Sequence, residues 1–384
     1  MPTTRLKNSL YRALLPFFAP VCGPHPVTCH QGHEIIHMHS FIRLIRRHHV
    51  LGSATLLSSA GSSALICTSS EHPCHSAFPE TYFRVASITK TAVAVLVMRL
   101  ADQGVLSLDS PVTRYFSDKA AQHALNGITL MHLLSHTSGI IDPPELEAAL
   151  ESDRPFTDFF PSARQFDPGH SFHYSNLGFG IIGCILESVL DHAVGDIFRI
   201  YLFEPLRMNA TLEGSLLPVN SIMPVSRILP WKKGSDMILT SLGSRPLMTP
   251  DPLRHYGHTA GSMYTDIISL ERLLHVLTVN DSHFLKDSSI YAMKASHASY
   301  GSLSPTLSYG LGLLRINDSV LSESCIYGHQ GFAYGCADGA FWEDKTGRIM
   351  IMLNGGCSEA RTGRLGVANR DLLQWAFRKE LPSW

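Results

Sequence analysis

The sequence predicts an α+β fold in which one sheet, antiparallel or mixed and flanked by helices, is assembled from both ends of the chain around an inserted helical lobe. Three observations lead there. Strand-like runs over residues 53–58 and 64–68 are joined at Ala60-Gly61-Ser62-Ser63. The stretch from about 110 to 300 is mainly helical in pattern, with Pro- and Gly-rich links around 215–260. Strand-like runs return after Tyr309, and Leu372, Leu373, Ala376 and Phe377 give a closing helix. Strands so far apart share a sheet only if both ends of the chain contribute to it. The expected organisation is an N-terminal extension over 1–40 and one folded unit over 41–384. Its sheet lobe takes 41–110 and 300–384, and its helical lobe 111–299.

Composition bounds the function. With 384 residues, 45% of them apolar, and a formal charge of −1, the chain is long enough for one large domain or two lobes. A balanced charge gives no reason to expect nucleic acid or an anionic surface as partner. No run is long and apolar enough to span a bilayer. The eight cysteines, at 22, 29, 67, 74, 184, 325, 336 and 357, lack Cys-x-x-Cys spacing and read as scattered thiols.

The first fifty residues are rich in histidine and basic residues, with Glu34 the single acid. Leu10 to Val21 follows a basic start as a signal peptide would. It contains two prolines, however, no small-x-small cleavage site follows, and Val21 before Cys22 is a poor lipoprotein site. His33-Glu34-Ile35-Ile36-His37 matches a zinc-protease string. No Gly-x-x-His completes it, and local histidine richness explains it as coincidence, so no metal is expected. Phe41, Ile42, Leu44 and Ile45 form an apolar stripe opposite Arg43, Arg46 and Arg47, which predicts a helix packed on the sheet with its arginines in water.

Phe83-Arg84-Val85-Ala86-Ser87-Ile88-Thr89-Lys90 comes next, followed by Val93, Leu96, Val97 and Leu100 at helical spacing. Ser87 and Lys90 thus share one helix face. A serine hydroxyl needs a base within reach and a group that stabilises the oxyanion it creates. Lys90 serves as base if burial near other cations leaves it partly neutral, and the unpaired N–H groups of a helix start favour an oxyanion beside Ser87. Alone, Ser-x-x-Lys also fits a capped helix with a surface lysine.

Two further stretches support a site. Tyr174-Ser175-Asn176 precedes the apolar helical run from Ile181 to Leu190, and Tyr327-Gly328-His329-Gln330-Gly331-Phe332 lies in a strand-rich region. Between them, Gly104 is expected to end the Ser87 helix, Ser110-Pro111 to cap and start a short one, Thr129 to cap a helix through Leu134, and His136 to hold a turn beside the cleft.

The chain resembles the serine β-lactamase and penicillin-binding superfamily, in its class C-like branch with D-alanyl-D-alanine carboxypeptidases, D-aminopeptidases and related esterases. Besides the three motifs, Ala101 to Asp109, Leu133-Leu134-Ser135-His136-Thr137-Ser138-Gly139, Glu204-Pro205-Leu206-Arg207-Met208 and Tyr309-Gly310-Leu311-Gly312 look like its segments. The resemblance implies Ser87 as acylated nucleophile, Lys90 as its proton acceptor and Tyr174 as second acid/base. Asn176 would place Lys90 and the substrate amide. His329-Gln330-Gly331 would stand at the third motif, usually Lys-Thr-Gly, and the backbone N–H groups of Ser87 and Phe332 would form the oxyanion hole. His329 departs from the family's cation because imidazole is mostly neutral at pH 7, which makes efficient β-lactam hydrolysis less expected. A literal Lys345-Thr346-Gly347 falls in a polar hairpin turn and is read as a decoy.

The function expected is that of a serine hydrolase without cofactor, acting on D-residue peptides or amides, with peptidoglycan fragments and β-lactams among the substrates the family suggests. The alternatives are an esterase, a class C-like β-lactamase and a slowly deacylating penicillin-binding sensor. The family suggests an extracytoplasmic setting, and the weak signal segment leaves the cytoplasm open.

Overall fold

Aliphatic runs from the two ends of the chain pair into one sheet. The structure, a computed structural model, describes residues 38–59, 62–70, 75–146, 154–228, 247–278 and 283–377, together with 10, 13, 14, 25–30, 149, 232 and 233. The zinc-protease string and nearly all of the signal-like segment lie outside the described residues.

The sheet strands are β1 (His25–His30), β2 (Ser53–Ser59), β3 (Ser62–Ser70), β4 (His75–Ser76), β5 (Ala298–Ser299), β6 (Leu307–Tyr309), β7 (Leu314–Ile316), β8 (Ile326–Ala333), β9 (Cys336–Glu343) and β10 (Ile349–Asn354). Their order is β1-β3-β2-β10-β9-β8-β7-β6-β5, with β4 beside β3, and every described pairing is antiparallel. The central join is β2 to β10, in register from Ser53 opposite Asn354 to Ser58 opposite Ile349. The N-terminal stretch expected as a separate extension thus contributes an edge strand, β1, paired with β3.

Helices cover both faces, and β10 shows why: Ile349, Ile351 and Leu353 enter one apolar core while Met350 and Met352 enter the other. Successive strand residues point to opposite faces, so a strand apolar at every position needs cover on both. One side is closed by α1 (Met38–Arg47), whose Phe41 and Ile45 pack in the same core as Leu372 and Leu373 of the C-terminal helix. Phe41 and Ile45 are buried and Arg43, Arg46 and Arg47 exposed, as expected, with the Arg47 guanidinium 3.3 Å from the Asp371 carboxylate. The other side is closed by α2 (Thr89–Asp102), almost wholly buried, with Val93 to Met98 apolar at every position. The segment from 111 to 299 supplies α3 (Leu130–Leu134) and α4 (Asn176–Leu190), which pack beyond it, and α5 (Ile267–Thr278), which lies directly on β2, β9 and β10. The chain closes with α6 (Val367–Phe377).

Local signals behave as their chemistry dictates, with one exception. Gly104 ends α2 at a φ of +76°, and Thr129 caps α3 in a reciprocal box with His132. Ser110 does not cap the next turn. Pro111 holds the cap position of the short turn Val112–Tyr115, and the Ser110 hydroxyl, one residue too early, donates to Ser107 Oγ at 2.8 Å. Among the described residues, Cys67, Cys184, Cys325, Cys336 and Cys357 carry free thiols, and no single helix is long and apolar enough to cross a membrane.

Candidate active site

Ser87 lies in the tight turn Ala86–Ile88 that runs directly into α2. Ala86 holds a φ of 46°, left-handed backbone that costs a residue with a side chain roughly 1–2 kcal/mol. Its surroundings hold it there: the Thr89 hydroxyl donates to the Ala86 carbonyl at 2.6 Å, the Met263 N–H donates to that hydroxyl at 3.2 Å, and the Val85 N–H reaches the Met263 carbonyl at 3.0 Å. The open edge of β8 lies against this turn. A Cβ on Gly331 would fall 2.3 Å from the Val85 carbonyl oxygen, so only glycine allows the approach.

One helical turn on, Lys90 is fully buried. Its Nζ lies 3.2 Å from Ser87 Oγ and 2.9 Å from Asn176 Oδ1, and it also donates to the Ala260 carbonyl. Burial lowers its pKa to about 7; the Asp142 carboxylate opposes that shift and the Arg84 guanidinium adds to it. A pKa brought down into the neutral range leaves part of the amine uncharged and able to accept the serine proton. Arg84 is the nearby cation that the sequence argument required.

Tyr174 shares a hydrogen bond with Ser87, and its ring centre lies 5.0 Å from Lys90 Nζ. Burial raises the phenol above its usual pKa, so it stays protonated as a donor. His136, also in left-handed backbone, accepts the Ser175 N–H on Nδ1 at 3.1 Å and lies tilted against the Tyr174 ring, centres 4.2 Å apart, which is the turn-holding role expected of it. Burial keeps its imidazole well below the usual range, with Lys90 and His329 adding to the shift.

Asn176 is the first residue of α4, and Ser175 caps that helix by accepting the Gly178 N–H at 3.0 Å. The Asp142 carboxylate, which sequence reasoning missed, gathers this whole junction. It accepts from Ser175 Oγ (2.8 Å), from the Asn176 backbone N–H and side-chain amide (both 2.9 Å), and from the Leu177 N–H (2.9 Å). Its signal was an acid before Pro143-Pro144 with no evident partner, but that partner lies more than thirty residues on.

The third stretch is only partly in the site. His329 is buried, its Nδ1–H donates to the Gln330 carbonyl at 2.7 Å and its Nε2 pairs with the Tyr309 hydroxyl at 2.9 Å. Burial pushes its pKa down to about 3, with Lys90 contributing, so it is neutral. Gln330 faces the other side of β8, as strand alternation requires. Its amide donates to the Arg364 carbonyl at 2.6 Å and accepts the Gly366 N–H at 3.0 Å. That side chain secures the hairpin at residues 361–366 and does not join Ser87. Phe332 follows Gly331 on the same edge, with the Arg361 guanidinium 4.1 Å above its ring. Lys345-Thr346-Gly347 lies in the β9–β10 turn, beyond the Ile326–Glu343 pair. Five residues of strand, about 16 Å, separate Ile326 from Gly331.

The beta-lactamase family profile matches residues 70–363. Esterase EstB of Burkholderia gladioli is 26% identical over 76% of this chain and 82% of its own length. The D-alanyl-D-alanine-carboxypeptidase/endopeptidase AmpH of Escherichia coli is 28% identical over 34% of this chain, and that match spans only 37% of AmpH. Among solved structures, D-amino acid amidase from Ochrobactrum anthropi SV3 superposes with a TM-score of 0.65 at 21% identity, covering 85% of this chain and 92% of the amidase, a likeness of fold.

Proposed function

Because the chain belongs to the beta-lactamase family, a family of serine hydrolases, we propose that it cleaves amides or peptides through an acyl-enzyme on Ser87. The observation that carries this reading is the placement of a fully buried lysine amine between Ser87 Oγ and Asn176 Oδ1. Ser87 Oγ attacks the carbonyl while its proton passes to neutral Lys90. The oxyanion is held by the backbone N–H groups of Ser87 and Phe332. Tyr174, within hydrogen-bond reach of Ser87, relays the proton to the leaving nitrogen, and water then frees the acyl group through the same residues.

The substrates we propose carry a D-residue beside the scissile bond, in line with the AmpH and amidase likenesses. An ester substrate is the second reading, and a specific observation favours it. Neither His329, whose two nitrogens are engaged and which is neutral, nor Gln330, which is turned away, presents a group for a substrate carboxylate.

Intact-protein mass spectrometry with a fluorescent penicillin, beside turnover of D- and L-amino acid amides and p-nitrophenyl esters, tests the reading. Expected are an adduct that maps to Ser87 and cleavage of D-amides. Cleavage of esters alone selects the second reading, a long-lived adduct without turnover makes the protein a sensor, and no adduct with no turnover overturns the proposal.

A further inference from the structure

We propose that Asp142 is a positioning residue that sets the polarity of the Asn176 side-chain amide and so keeps the lone pair of Lys90 directed at Ser87. The inference rests on the reading of Ser87 and Lys90 given above.

An ionised carboxylate only accepts, whereas a primary amide has one donating and one accepting end. Asp142 Oδ2 takes the donating end, Asn176 Nδ2, at 2.9 Å and accepts the backbone N–H of the same residue at 2.9 Å. The accepting end, Oδ1, is thereby turned to Lys90 Nζ, 2.9 Å away. A neutral amine has two hydrogens and one lone pair. Asn176 Oδ1 and the Ala260 carbonyl use the hydrogens, and the lone pair is left for the Ser87 hydroxyl at 3.2 Å. With the amide reversed, its NH2 would donate into that lone pair, and the Ser87 proton would have no acceptor.

Charge adds a separate signature. The titratable groups that face Lys90 are Arg84 from the strand before the Ser87 turn, His136 and Asp142 from the segment after α3, Tyr174 from the loop before α4, and His329 from β8. His136 and His329 are held neutral and Tyr174 protonated. Asp142 is therefore the anion that opposes burial and Arg84. Removing its charge lowers the Lys90 pKa and moves the acid limb of acylation to lower pH.

The test is Asp142→Asn, nearly isosteric, with Ser175 still in place to cap the start of α4. The introduced amide offers a donor where Asn176 Nδ2 needs an acceptor. Adduct formation, followed by mass spectrometry from pH 5 to 9, is expected to slow on the order of a hundredfold, with its acid limb at lower pH and the melting temperature changed by less than about 5 °C. The exchanged pair Asp142→Asn with Asn176→Asp returns an acceptor to Lys90 and recovers about tenfold of the rate, its limb moving back to higher pH. A wild-type rate with an unshifted limb in the single variant overturns the proposal, as does an exchanged pair that recovers nothing. Failure of the parent protein to form an adduct at Ser87 would instead sink the underlying assignment.

Discussion

The hydroxyl of Tyr309 lies 2.9 Å from Nε2 of His329, and both side chains are buried. With Nδ1–H given to the Gln330 carbonyl, the imidazole is fixed as one neutral tautomer that accepts from the tyrosine. Tyr309→Phe leaves a buried acceptor unpaired, which costs about 1–3 kcal/mol. The expected result is a lower denaturant midpoint with an unchanged m-value.

Ser87→Ala should abolish the covalent adduct and lower turnover by at least about a thousandfold, while the fold survives because Ser87 is only half-buried. Adduct formation on this variant would place the nucleophile elsewhere.

Lys90 supplies the pH dependence. Its folded pKa is lowered from 10.5 to about 7, and in the proposed mechanism the uncharged amine is the competent base. The acylation rate is therefore low in acid, rises through pH 7 and levels above it. A stopped-flow profile that is flat from pH 5 to 9 would contradict this assignment.

Gly331→Ala tests the contact between β8 and the Ser87 turn. Its Cβ would sit 2.3 Å from the Val85 carbonyl, so strand or turn must move. A displacement of about 1 Å at the reacting atoms is expected to cost on the order of a hundredfold in kcat/KM.

Two motif matches serve as controls. Lys345→Ala alters a turn about 16 Å or more along the strand from Gly331 and should leave kcat/KM unchanged. The pair His33→Ala and His37→Ala should do the same, and a large loss in either case would revive the motif concerned.

What the sequence made legible was local. Ser87 and Lys90 are three residues apart on one helical stretch, so their proximity followed from helix geometry, and the hairpin of β2 and β3 announced itself by a Gly-Ser turn. The order of motifs brought Tyr174 and Asn176 into consideration. Long-range polar partnerships were not legible. Asp142 finds Asn176 thirty-four residues on and Tyr309 finds His329 twenty residues on, across intervening elements that no local periodicity bridges. The outward turn of Gln330 depended on strand phase, which a three-residue motif does not fix. Ser110 failed as a cap by a single residue, at the scale where turn geometry outweighs residue preference.

The join of β2 to β10, with Gly331 seated on the Ser87 turn, also sets a schedule for synthesis. Ser87 and Lys90 emerge from the ribosome about 240 residues before β8. At about 5–20 residues per second, that is a delay of tens of seconds. During it α2 has only the β2–β3 hairpin and the helical segment that follows it to pack against, and the face that β8 to β10 will cover waits for them. A chain cut short before Ile326 would contain Ser87, Lys90, Tyr174 and Asn176 in sequence but would lack the strand edge against which the first of them works.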